Sequence, residues 1–196
     1  MSSSNLFRWS GLACILSGLL LPVFWIMQVV VGSPPSILSM SLEFVAITLI
    51  VFGLIGIYGF QIEETGVYGF LGFLLAVLMS CIGLSLISWS PESTEVVGGA
   101  GAGMLIPLMG IAGLSGYILL CIGSWKANKL PRWVVVLWPI GTVISAIGMM
   151  LVNSGFENAD YLHVIGISVW GLGMIGAGVK LWSGMVEPAS QPAAAT

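Results

Sequence analysis

An all-α, polytopic transmembrane helix bundle of about six spans is the fold this sequence predicts, and three observations carry it. The 196-residue chain is 58% hydrophobic and only 7% charged, with a mean hydropathy of +1.08. A soluble domain carries about 25% charged residues, so this chain cannot cover a water-facing surface. Six apolar stretches reach the roughly 20 residues an α-helix needs to cross hydrocarbon: residues 9–31, 37–60, 67–89, 103–125, 133–152 and 162–182. Short polar breaks rich in proline, glycine and carboxylates separate them and free the chain to turn.

The first span follows a single base, Arg8, and its apolar run is longer than the h-region of a signal peptide. No small-residue cleavage site stands near Gly32, so the span is expected to be retained. The breaks between spans are short, which makes consecutive helices antiparallel neighbours. Before the fourth span, the run Gly98-Gly99-Ala100-Gly101-Ala102-Gly103 follows no strand and lacks the lysine of a phosphate loop. It reads as a flexible, re-entrant lead-in to that span. Pro22, Pro107 and Pro139 fall within or close to spans, where they are expected to kink the helix. Residues 1–8 then form a cytoplasmic N-terminus and 9–184 the six-helix membrane domain. Residues 185–196, rich in Ala, Pro, Ser and Gln, form a disordered cytoplasmic tail.

Basic residues set the orientation. With the N-terminus inside, Arg8, Lys126, Lys129, Arg132 and Lys180 all fall on the cytoplasmic side, and the outer breaks carry only acids, Glu92, Glu95, Glu157 and Asp160. Trp9, Trp125, Trp133 and Trp182 sit at the inner boundary and Trp89 at the outer one, where amphipathic rings prefer to lie. The expected location is the cell (inner or plasma) membrane, with both termini cytoplasmic.

Glycine recurs at three-residue spacing: Gly53, Gly56 and Gly59; Gly66, Gly69 and Gly72; Gly110, Gly113 and Gly116. The sixth span carries Gly171, Gly173, Gly176 and Gly178. Lipid gives helices no hydrophobic reason to associate, so these small residues mark faces where backbones approach closely. Phe7-Arg8-Trp9 opens the first span much as Pro131-Arg132-Trp133 opens the fifth, and Phe52 to Gly56 echoes Leu172 to Gly176. The pattern suggests three helical hairpins of one polarity, and it places Glu43 and His163 at equivalent positions.

Several function classes are disfavoured. A net charge of −3 leaves no basic patch for nucleic acid. Cys14, Cys81 and Cys121 lie inside apolar runs with no CxxC or Cys/His cluster, so no metal site is expected. A lone histidine leaves few axial ligands for haem, with Met, Gln28 or Glu43 as the substitutes, and no cofactor is expected.

Three residues could carry chemistry. Glu43 lies about two turns into the second span, where burying a carboxylate costs roughly 2.5–3.5 kcal/mol even on the lenient insertion scale. It reads either as a proton, cation or ligand anchor or as an interfacial acid bonded to a neighbouring helix. His163 opens the sixth span on the same side, next to Asp160 and Tyr161, and reads as an interfacial histidine or as a proton-sharing partner of Glu43. Ser115 lies in Gly113-Leu114-Ser115-Gly116 of the fourth span.

That GxSG run, with His163 heading the sixth span, resembles the rhomboid intramembrane serine proteases. The resemblance implies a six-helix, N-inside core and a Ser115/His163 dyad in which the imidazole activates the hydroxyl. The chain departs from that family in two ways. Its second span has neither the histidine nor the asparagine of the oxyanion site, and its first outer loop shrinks to a few residues around Pro34-Pro35. Arg8-Trp9-Ser10-Gly11-Leu12, the run from Gly56 to Gly66, Lys129-Leu130-Pro131-Arg132-Trp133 and Leu181-Trp182-Ser183-Gly184 loosely resemble uncharacterised multi-pass bacterial membrane proteins. That resemblance implies topology and a bacterial membrane, and no activity.

The leading expectation is a non-catalytic membrane subunit, scaffold or partner-binding module, working with the lipid bilayer and a homo-oligomer or larger membrane complex. The alternatives are a small proton-linked carrier or channel using Glu43 and His163, and the Ser115/His163 protease.

Overall fold

A computed structural model describes residues 3–31, 37–87 and 100–183. Within them the chain forms six α-helices: α1 (Ser3–Val31), α2 (Ile37–Gln61), α3 (Gly66–Ile87), α4 (Ala100–Ala127), α5 (Arg132–Asn153) and α6 (Ala159–Ser183). The breaks holding Pro34-Pro35 and Trp89, Glu92 and Glu95, and the tail from residue 185, lie outside the described residues.

All six helices are long and apolar enough to cross a membrane. Hydrocarbon offers no partner for a free N–H or C=O, so the backbone must bond within each segment, and a helix does this with local bonds alone. Hydroxyls obey the same constraint. Thr48, Ser80, Thr142 and Ser168 each donate to the carbonyl four residues back, at 2.8–3.0 Å, and so expose no unpaired polar group. Helical bonding does not stop where hydrocarbon does. α1 begins at Ser3, ahead of the apolar stretch, and residues 100–103 of the glycine run are the first turn of α4 rather than a re-entrant segment. Pro22, Pro107 and Pro139 lie inside α1, α4 and α5.

Each helix packs against its neighbours in the chain, and α6 returns against α1, closing the bundle into a ring. The hairpins α1–α2, α3–α4 and α5–α6 and the closing pair α1–α6 are tightly packed, whereas α2–α3 and α4–α5 meet less extensively. Small residues make the tight pairs. A β-carbon on Gly18 would stand 2.6 Å from the carbonyl oxygen of Gly171, and one on Gly171 would stand 2.5 Å from that of Gly18. Gly11 and Gly178 repeat the arrangement two turns on. The stripe Gly53, Gly56 and Gly59 on α2 faces Cys14, Ser10 and Phe7 of α1. Gly69 and Gly72 of α3 lie against Gly123, Gly116 and Leu120 of α4. On α6, Gly173 and Gly176 accommodate Trp138, Val134 and Trp133 of α5, while Gly171 and Gly178 face α1. Such contact lets dispersion and close backbone approach hold helices together where lipid supplies no hydrophobic drive.

Two glycines of the expected stripes do not pack. Gly110 is exposed with nothing near it, and Gly66 is also open, its left-handed backbone (φ +59°) turning the chain into α3. The lipid-facing exterior carries Leu19, Val30, Phe52, Ile111 and Met150, all exposed.

The end of the bundle holding the bases is closed. Leu54, Ile57, Leu120, Trp138, Met174 and Leu181 are buried there. Gln61, fully buried, donates from Nε2 to the Ile57 carbonyl and to Ser124 Oγ, both at 3.1 Å, tying α2 to α4. Lys129 pairs with Glu64 at 2.8 Å, linking the α4–α5 turn to the α2–α3 turn. Around this end, Trp9, Trp125, Trp133 and Trp182 are exposed, with Arg8 over Trp182 and Arg132 over Trp125. That is the aromatic and basic belt of a membrane–water boundary.

Candidate functional site: a cavity shared by all six helices

The other half of the ring is not filled. Beyond the closed end the six helices surround a partly enclosed cavity of about 560 Å³. It lies within the roughly 300–1,000 Å³ typical of small-molecule sites.

Every helix contributes one face to it. α1 supplies Leu21, Phe24, Trp25 and Gln28, and α2 supplies Met40, Glu43, Ile47 and Ile50. Ser80 and Gly83 come from α3, and Met109 and Tyr117 from α4. α5 adds Thr142, Ser145 and Met149, and α6 adds His163, Ile167 and Trp170. On α2, α5 and α6 these positions recur at three- and four-residue steps, and Met109 and Tyr117 of α4 stand two such steps apart, as one inward stripe requires. Ten residues separate Met40 from Ile50, so at 1.5 Å per residue the cavity runs about 15 Å into the bundle. The lining runs from the helix ends remote from the five bases to about mid-bundle, where Ile50, Tyr117 and Thr142 stand.

Glu43 and His163 therefore line one cavity. Glu43 sits at the seventh residue of α2 and His163 at the fifth of α6, two helices that touch across the ring. His163 is 8% exposed. Its Nδ1 lies 3.0 Å from Ser145 Oγ and 3.1 Å from the Ser145 carbonyl oxygen on α5. With its proton on Nδ1 the ring donates to this carbonyl and presents Nε2 as a lone-pair acceptor. Nε2 has no hydrogen-bond partner among the described residues. The Trp25 ring stands edge-to-face on the imidazole at 4.5 Å, fixing its orientation from α1. Deeper in, Tyr117 and Trp170 are buried and meet edge-to-face at 5.8 Å, with no well-formed hydrogen bond at Tyr117 Oη or Trp170 Nε1.

Ser115 stands elsewhere. It is absent from the cavity lining, and its hydroxyl donates to the Ile111 carbonyl at 2.5 Å, one turn back on its own helix. Neither ring nitrogen of His163 bonds to it: Nδ1 is held by Ser145 and Nε2 is unpartnered. The hydroxyl within hydrogen-bond reach of the histidine is thus Ser145. The dyad implied by the rhomboid resemblance is not assembled.

The cavity also contains residues the sequence did not single out, chiefly Trp25, Tyr117, Ser145 and Trp170. The available signal was helical spacing: Met40, Glu43, Ile47 and Ile50 share a face, as do His163, Ile167 and Trp170. Among the described residues no group of three or more His, Cys, Asp or Glu side chains could hold a metal ion. Compared with known proteins, the chain matches no family model, and no curated protein and no solved structure is significantly similar to it.

Proposed function

We propose that this chain is a non-catalytic, membrane-embedded binding protein for a small, largely apolar molecule, held in the six-helix cavity with Glu43 and His163 as polar anchors. The observation that carries the reading is that the two most conspicuous ionisable residues within the spans line the same cavity, to which every helix contributes. Mostly apolar walls with a few convergent polar groups are the usual make-up of a small-molecule site. The expectation of a membrane subunit or binding module thereby takes a specific form. Its alternative, a proton-linked carrier using the same two residues, needs one further property. The seal formed by Gln61, Ser124, Glu64 and Lys129 would have to open.

The basic belt at the closed end favours that end facing the cytoplasm of a bacterial cell membrane, with both termini inside and the cavity facing outward. The packing glycines of the tight pairs are engaged within the chain, so assembly into a homo-oligomer or larger complex would use other surfaces.

Native mass spectrometry of gently solubilised protein tests the reading against a cavity-filling variant. A β-carbon on Gly83 would make only ordinary contacts, 3.4 Å to Ile47 and 3.8 Å to Met109, so Gly83→Leu starts its side chain without a backbone clash and takes space from the cavity. The expected result is a small-molecule adduct on the wild type that Gly83→Leu loses. An adduct retained in full by Gly83→Leu, or none on the wild type, contradicts the proposal. Uptake into proteoliposomes then separates a carrier from a receptor.

A further inference from the structure

We propose that the cavity takes a lipophilic organic cation, a monovalent ammonium-type centre on an apolar body; the proposal rests on reading the cavity as a ligand site.

Charge is the first reason. Glu43 is the one acidic side chain in the lining, and no lysine or arginine faces it, because all five stand at the opposite end of the bundle. The remaining basic group, His163, has an unpartnered Nε2, a second acceptor in the tautomer that donates from Nδ1 to the Ser145 carbonyl. A carboxylate in low-dielectric surroundings without a counter-charge is costly, and a bound cation would relieve that cost. A neutral ligand would leave it, and an anion would add to it.

The walls are the second reason. Phe24, Trp25, Tyr117 and Trp170 supply aromatic rings around the same space, and the negative face of a ring attracts a desolvated cation. Methionines at positions 40, 79, 109 and 149 supply flexible, polarizable thioethers that adapt to apolar groups of differing shape. Approach is biased as well. The described charges at the cavity end are all acidic, with Glu157 in the α5–α6 turn and Asp160 in the first turn of α6, and acids of one sign draw in cations.

The test uses the full chain in nanodiscs and three probes of similar shape: radiolabelled tetraphenylphosphonium, tetraphenylborate and neutral triphenylphosphine oxide. Binding to empty discs is subtracted. Saturable binding is expected for tetraphenylphosphonium alone, weakened at least about tenfold by Glu43→Gln and only a few-fold by Glu43→Asp. Gly83→Leu should abolish it, which places the probe in the cavity. Equal binding of all three probes, or undiminished binding of the cation to folded Glu43→Gln, overturns the cation assignment and leaves the cavity reading standing. Failure of all three to bind also overturns it, and the adduct measurement on Gly83→Leu then decides separately whether the cavity binds anything.

Discussion

Replacing Gly18 with alanine should weaken the bundle although it adds one methyl group to a helix. In the ring, α1 and α6 meet backbone to backbone at this point, and the new β-carbon would lie 2.6 Å from the Gly171 carbonyl oxygen. Ordinary contact begins near 3.4 Å, so the two helices must part by about 0.8 Å, and a carbonyl cannot swing aside as a side chain can. Overpacking of this kind costs about 1–3 kcal/mol. Better helix propensity returns about 1 kcal/mol, leaving a net loss of up to about 2 kcal/mol. Two substitutions of the same chemistry calibrate the loss. A β-carbon on Gly59 would make ordinary contact with Phe7 at 3.4 Å, and one on Gly110 would meet nothing, so both variants should match the wild type or exceed it. The assay is the midpoint of SDS-induced unfolding in mixed micelles, followed by tryptophan fluorescence. If Gly18→Ala unfolded at the same midpoint as Gly59→Ala, the close α1–α6 approach that closes the ring would be refuted.

Four further outcomes follow from the closed end and from Ser115. Ser124→Ala removes the side-chain bond between α4 and Gln61 and should cost about 0.5–1.7 kcal/mol, a typical value for a hydrogen bond between membrane helices, in the same unfolding assay. Gln61→Met discards both that bond and an Oε1 that has no partner, so it should fall within about 1 kcal/mol of wild type. Lys129→Gln breaks a half-exposed pair with Glu64 and should cost at most about 1 kcal/mol, a difference that shrinks as salt is raised. Ser115→Ala should leave ligand binding unchanged, and a fluorophosphonate should not label Ser115, because that hydroxyl is bonded to its own helix away from the histidine.

The spans were legible because hydrocarbon imposes a length and an apolarity on each crossing that no other medium demands. Helix ends were less so, since α1 and α4 continue past their apolar runs on backbone bonding alone. The Gly53, Gly56 and Gly59 stripe was readable as a contact face, but not as the face for α1. Spacing by three groups residues on a surface without naming what it meets, which is also why Gly110 was wrongly grouped with packing glycines. Gly11 and Gly18, seven residues apart, escaped notice although they close the ring. The candidate site divided in the same way. Glu43 and His163 stand out in any apolar span because polarity there is expensive. That His163 meets Ser145 rather than Ser115 depends on α6 packing tightly along α5, a fact of tertiary arrangement. Trp25, Tyr117 and Trp170 look like ordinary apolar residues until six inward stripes are brought round one axis.

The central claim is that one half of the bundle is an accessible cavity containing Glu43 and Ser145 while the other half is closed. Single cysteines at positions 43, 145 and 57, in a background with Cys14, Cys81 and Cys121 replaced by serine, test it directly in intact cells with a membrane-impermeant thiosulfonate. The account predicts rapid labelling at 43 and 145, slowed at 145 by a cavity-bound cation, and none at the buried position 57. Labelling at 145 no faster than at 57 would contradict it.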